Sequence, residues 1–159
     1  MKTSPLARYP DWEKRLRTYL DSRKTMPFEW GVNDCATFIA GAVTAMTGVD
    51  VYDGFKGIYD TEEGSREALK TAGAGTLHRT VAKWLGKSKP AAQAKRGDVV
   101  MKDNFTLGIC LGRWSMFVGQ EAEEGLIHVP TLECRKAFSV PFTFKNGEMT
   151  ERPSSTEEA

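Results

Sequence analysis

Histidine is nearly missing from this chain, with two residues in 159, and cysteine is scarce at three. Cys35, Cys110 and Cys134 are too few and too scattered for a disulfide framework. With no Cys-x-x-Cys and no paired Cys/His spacing, a zinc signature is lacking as well. The expectation is reduced thiols, no metal and no cofactor. Also missing is any run near the roughly 20 apolar residues of a membrane-spanning helix. The opening Met1-Lys2-Thr3-Ser4-Pro5-Leu6 does not carry the apolar core of a secretory signal. A chain with no membrane span, made in the cytoplasm, is expected. An excess of one charge is absent too: 22 basic against 21 acidic residues leave a net charge of +1, which offers no reason to expect nucleic acid or an anionic membrane as partner. No internal repeat or low-complexity tract appears. What is left is ordinary globular composition, 40% apolar and 27% charged, at a length suited to one domain.

The pattern of elements divides the chain. Trp12, Leu16, Tyr19 and Leu20 recur at helical spacing between Asp11 and Lys24, with Asp11 as N-cap. After Thr25-Met26-Pro27, an extended Phe28-Glu29-Trp30-Gly31 leads into a second helix. Its apolar stripe runs through Phe38, Ile39, Ala42, Val43 and Met46 to Gly48, and its small residues Ala36, Ala40 and Gly41 allow a close neighbour. Residues 49–61 read as a loop anchored by Tyr52, Phe55, Ile58 and Tyr59. Thr61 and Thr76 cap two further helices that end near Ala72 and Leu85. Beyond a Lys/Pro/Ala connector at 86–95 the runs turn short and β-rich, at 98–102, 107–111, 115–120, 125–129 and 137–144. This predicts an antiparallel sheet of about five strands, with Glu121, Glu123 and Glu124 at a solvated hairpin tip. The domain is expected to span 1–144, followed by a polar tail, 145–159, without fixed structure of its own.

The chemistry centres on Asn33-Asp34-Cys35. A cysteine just behind an Asp cap lies where free backbone N–H groups and the helix dipole favour a thiolate, so Cys35 is the candidate nucleophile. The alternative is a small buried apolar residue beside a capping Asp34 whose own charge opposes the thiolate. A cysteine nucleophile needs a base within hydrogen-bond reach. His78 stands beside Arg79 at a helix start, and the reading there is an exposed imidazole. His128 lies in the run Leu126-Ile127-His128-Val129-Pro130, in the half of the chain where a papain-like base falls. Alternation with Ile127 and Val129 turns it away from the buried side, which makes it at most a displaced base.

Four pieces in order carry a resemblance: Phe28-x-Trp30-Gly31-x-x-Asp34-Cys35-x-x-Phe38, Thr47-Gly48-x-Asp50, Arg96-Gly97-Asp98-Val99-Val100, and Leu107-Gly108-Ile109-Cys110-Leu111-Gly112. Together they resemble the NlpC-like cell-wall peptidase superfamily, and more narrowly a branch of uncharacterised proteins from bacteriophage tail-gene modules. The resemblance runs from about Asp11 to Phe144. It implies an α+β, papain-like NlpC-type fold in which Cys35 heads a central helix packed on a small antiparallel sheet. In active members the strand after Gly-Asp-Val brings a histidine base, and here Thr106 holds that position. The third, orienting position falls near Val118 or Gly119, whose side chains can orient nothing.

The function expected from this resemblance is a tail-tip or tail-assembly component of a phage virion, contacting other tail proteins through a peptidase-like fold with a degenerate catalytic set. The alternative is an active cysteine peptidase or amidase that cuts cell-wall peptides of peptidoglycan during entry, with Cys35 as nucleophile and His128 as base.

Overall fold

The computed structural model describes residues 6–55, 57–120, 125–141, 143–145 and 148–150. Among these, four helices precede an antiparallel sheet, so the class is α+β. Helix α1 spans Trp12–Arg23 and α2 spans Cys35–Thr47. A 3₁₀ turn at Asp53–Phe55 follows, then α3 at Glu62–Thr71 and α4 at Leu77–Leu85.

Local chemistry sets the helix limits. Thr61 accepts the Gly64 N–H and Thr76 accepts the Arg79 N–H, the side-chain caps expected of both residues. Asp11 precedes α1 but caps nothing with its side chain, because the carboxylate is taken by Arg15 one turn on, at 2.7 Å. That ion pair holds the Asp11 carboxyl below its usual range. α2 ends at Gly48, whose φ is +79°.

The strands are β1 (Lys89–Pro90), β2 (Val99–Asp103), β3 (Thr106–Cys110), β4 (Trp114–Val118), β5 (Leu126–Pro130) and β6 (Lys136–Phe138), in the spatial order β1-β6-β2-β3-β4-β5. The sheet thus has six strands, one more than the sequence suggests. β1 arises in the supposed connector, where Lys89 and Pro90 pair with Ala137 and Lys136. The run expected at 137–144 is divided between β6 and β7 (Thr143–Lys145), which forms a separate hairpin with β8 (Glu148–Thr150). The expected tail therefore begins inside a hairpin. Residues 151–159, and the acidic tip at 121–124, lie outside the described residues.

Alternation along the strands gives the sheet two cores. Val99, Met101, Leu107, Ile109, Val118 and Phe138 face the helices and meet Leu16, Phe38, Val43 and Met46. Val100, Cys110, Phe117, Val129 and Ala137 face the other side, where Ala91 and Cys134 close a smaller core. α1 and α2 pack closely because Gly41 leaves room for the Tyr19 ring, which would collide with any Cβ there. The Tyr19 hydroxyl then donates to the Phe38 carbonyl at 2.8 Å. Burial pushes the Tyr19 phenol up to about 12.

A second fastening joins Arg8 to the residues just before β2 and just after β6. Arg8 is fully buried and pairs with Asp98 at 3.0 Å, donates to the carbonyls of Val140 and Arg96 at 2.8 Å each, and lies over the Trp12 ring. Lys89 reaches the other Asp98 oxygen at 2.7 Å. Asp98 also accepts backbone N–H groups from Lys95 and Val140.

Candidate functional site

The loop before α2 is built around two buried polar side chains. Asn33 donates to the carbonyls of Met26 and Pro27 and accepts from Arg23 at 2.7 Å, which fixes the turn out of α1. Asp34 then caps α2 reciprocally: its carboxylate accepts the Thr37 N–H at 2.9 Å, and its own N–H donates to the Thr37 hydroxyl at 2.8 Å. The other carboxylate oxygen accepts the Gly31 N–H at 2.8 Å and the Tyr59 hydroxyl at 2.6 Å. Gly31 has φ +82°, and a Cβ there would strike the Tyr59 carbonyl, so glycine is required on both counts.

Tyr52 extends this network by donating to the Tyr59 hydroxyl at 2.8 Å. Burial pushes the Tyr52 phenol up to about 12; that of Tyr59 is held higher still by burial and by its bond to Asp34. The loop at 49–61 is thereby pinned onto the head of α2. Tyr52 and Phe55, read from the sequence as loop anchors, are buried and stacked on one another.

Cys35 is the first residue of α2, as the sequence predicts, and its thiol points at the sheet. It donates to the Phe105 carbonyl, immediately before β3, at 3.4 Å. The residue keeps part of its surface open, yet burial of the sulfur pushes the thiol up to about 12. Asp34 adds to that rise, while a backbone N–H of Leu107 opposes it. The helix N-terminus still favours the thiolate through the Cys35 and Ala36 N–H groups, but burial of the sulfur outweighs them.

The thiol adjoins a cavity of about 140 Å³ between the head of α2, the 49–61 loop, α3 and α4. Its walls are mainly aromatic and aliphatic, with Glu62, Ser65 and Arg66 of α3 among the few polar members. Neither histidine lines it. His128 is exposed on β5, opposite Met116 of β4. His78 packs on Phe138 and lies 3.4 Å from the Lys136 ammonium; partial burial, then that charge, lowers its pKa. Thr106 is half-buried at the start of β3, adjoining in the chain the carbonyl that Cys35 meets. Val118 is buried in the helix-facing core, and Gly119 only closes the turn to Gly125.

Of the candidate residues, the structure therefore brings Asp34 and Cys35 to the cavity and leaves His128 apart from it. Sequence reasoning missed Tyr59 as the partner of Asp34, and Leu69 and Trp84 as cavity walls. The signal available was the pair Tyr52 and Tyr59 in a loop otherwise rich in Gly and Asp. Among the described residues, no group of three or more His, Cys, Asp or Glu side chains could hold a metal ion, and no helix is long and apolar enough to cross a membrane.

Residues 7–140 match the family described as "Domain of unknown function (DUF6950)", and the chain belongs to that family. No curated protein matches it.

Proposed function

We propose that this protein is a tail-tip or tail-assembly component of a bacteriophage, made in the host cytoplasm and carried in the virion, with an NlpC-like, papain-type scaffold reused for holding other tail proteins. The observation that carries the reading is the surroundings of Cys35. Its thiol is bonded to a backbone carbonyl, raised to about 12 by burial, and faces a cavity that neither histidine lines. At neutral pH a thiol so placed is almost wholly protonated, and neither imidazole lines the cavity to take its proton. Thr106, next to the carbonyl that the thiol meets, supports the same reading, since a hydroxyl there cannot act as base.

Two measurements test this. Purified protein incubated with peptidoglycan is expected to release no muropeptides, because loss of the base costs orders of magnitude in rate. Release abolished by both Cys35→Ala and His128→Ala would restore the cysteine peptidase. Virions are expected to contain the protein, and a deletion is expected to impair assembly or infectivity. Absence from particles with normal infectivity would end the structural reading.

A further inference from the structure

We infer that the cavity beside Cys35 is a recognition pocket for one uncharged apolar side chain, aromatic or branched aliphatic, presented by a peptide segment of a partner protein. The inference rests on the Cys35 site being used to hold and not to cut.

Size is the first argument. The cavity measures about 140 Å³, close to the roughly 150 Å³ of an apolar cavity that accepts a benzene ring. Its chemistry is the second. Trp30, Tyr52, Phe55, Leu69, Trp84 and Phe105 supply apolar wall, and the Tyr52 hydroxyl is spent on Tyr59. The cationic member, Arg66, is already paired with Glu62 at 2.7 Å and lies near the Phe105 ring. An anionic ligand would therefore lose its hydration and gain no free cation, and the one uncancelled carboxylate, Asp34, has both oxygens taken by the Gly31 and Thr37 N–H groups and the Tyr59 hydroxyl.

The third argument separates a partner protein from a free small molecule. Of the five large apolar residues exposed among the described ones, Phe105, at 68%, lines the cavity. Val32 and Ile58 stand in the short segments that carry Trp30 and Tyr59, and these segments touch where Gly31 meets the Tyr59 carbonyl. Apolar surface thus continues outward from the pocket at Phe105, and further apolar side chains are exposed in the two segments that carry the Trp30 and Tyr59 walls. A single ring would leave that surface in water, whereas a peptide that seats one anchor residue would cover it.

The test uses the full chain and three probes: acetylated, amidated Gly-Phe-Gly, its Gly-Asp-Gly counterpart, and toluene. Binding is read from Trp fluorescence and from methyl NMR shifts of Ala36 and Leu69. The Phe peptide is expected to saturate and to bind roughly ten- to a hundredfold more tightly than the Asp peptide, the factor that burying one such side chain provides. Leu69→Trp, which fills the cavity, should abolish the effect. Phe105→Ser, at an exposed position, should weaken the peptide more than toluene. Equal binding of both peptides, or no saturable response, overturns the pocket. Equal affinity for toluene and the Phe peptide overturns the peptide partner in favour of a free small molecule. Dimerisation lost in Phe105→Ser would assign the rim to a second copy of this chain and overturn the heterologous partner. Muropeptide release would instead strike at the non-catalytic reading, and it is scored independently of binding.

Discussion

Asp34 and Asp98 are both buried, each just ahead of a secondary-structure element, and they are stabilised by opposite means. Asp98 meets two cations, Arg8 and Lys89, and two backbone N–H groups. Asp34 meets only neutral donors: the N–H groups of Gly31 and Thr37 and the hydroxyl of Tyr59. The cations cancel the charge of Asp98 locally, and the group acts as a rivet between distant segments. The neutral donors solvate Asp34 without cancelling it, so its charge still reaches the adjoining thiol and helps hold the proton on Cys35. The same residue type thus fastens one region and sets the chemistry of the other, according to what donates to it.

The sharpest way to break the contrast is Asp98→Ala, which strands a buried guanidinium. We expect a loss of roughly 3–5 kcal/mol in urea unfolding. The double replacement Arg8→Met with Asp98→Leu should cost clearly less than Asp98→Ala alone, since the fully buried guanidinium goes with its partner and only the partly exposed Lys89 loses its carboxylate. Asp34→Ala comes next, at roughly 2–3 kcal/mol, from the lost cap together with the unsatisfied Tyr59 hydroxyl. A cost for Asp34→Ala equal to that of Asp98→Ala would remove the distinction between the two carboxylates.

Tyr59→Phe is smaller, about 1 kcal/mol, because Asp34 keeps both N–H donors and one hydrogen bond is lost at each end. The remaining effect appears only in alkali. The folded Cys35 thiol titrates near 12, above its ordinary value of 9, so the folded state holds a proton that the unfolded chain releases. Its stabilising contribution is complete below about pH 9 and declines as pH rises towards 12. Alkylation of Cys35, followed by peptide mass mapping, should keep accelerating past pH 9. In Asp34→Asn its inflection should move to lower pH. A plateau near pH 9 in the parent protein would show an ordinary thiol.

The helical half was legible because its signals are local. Asp34, Thr61 and Thr76 cap helices with their own side chains, and Gly48 ends one, all within four residues of what they control. The sheet was less so. β1 is two residues long and exists only because Ala137 and Lys136, almost fifty positions on, pair with it. Arg8 precedes any periodic segment, and its role depends on Asp98, 90 residues away. At the site, Cys35 and its cap could be read directly. The thiol's raised pKa could not, since burial by the 49–61 loop, α3 and Phe105 overrides the local preference of a helix start. His128 illustrates the same limit: position in the chain suggested a base, but register on β5 places it away from the cavity.

The rivet at Asp98 has a consequence for how this fold can be used. The Arg8 N–H donates to the Pro141 carbonyl and its guanidinium to Val140, so the chain enters and leaves the matched domain at a single seam. A unit closed in this way can be grafted whole into a surface loop of a larger protein, or recircularised and reopened elsewhere, without drawing its ends apart. The surroundings could then change completely while the cavity, whose walls begin at Trp30 and lie away from that seam in the chain, keeps its shape.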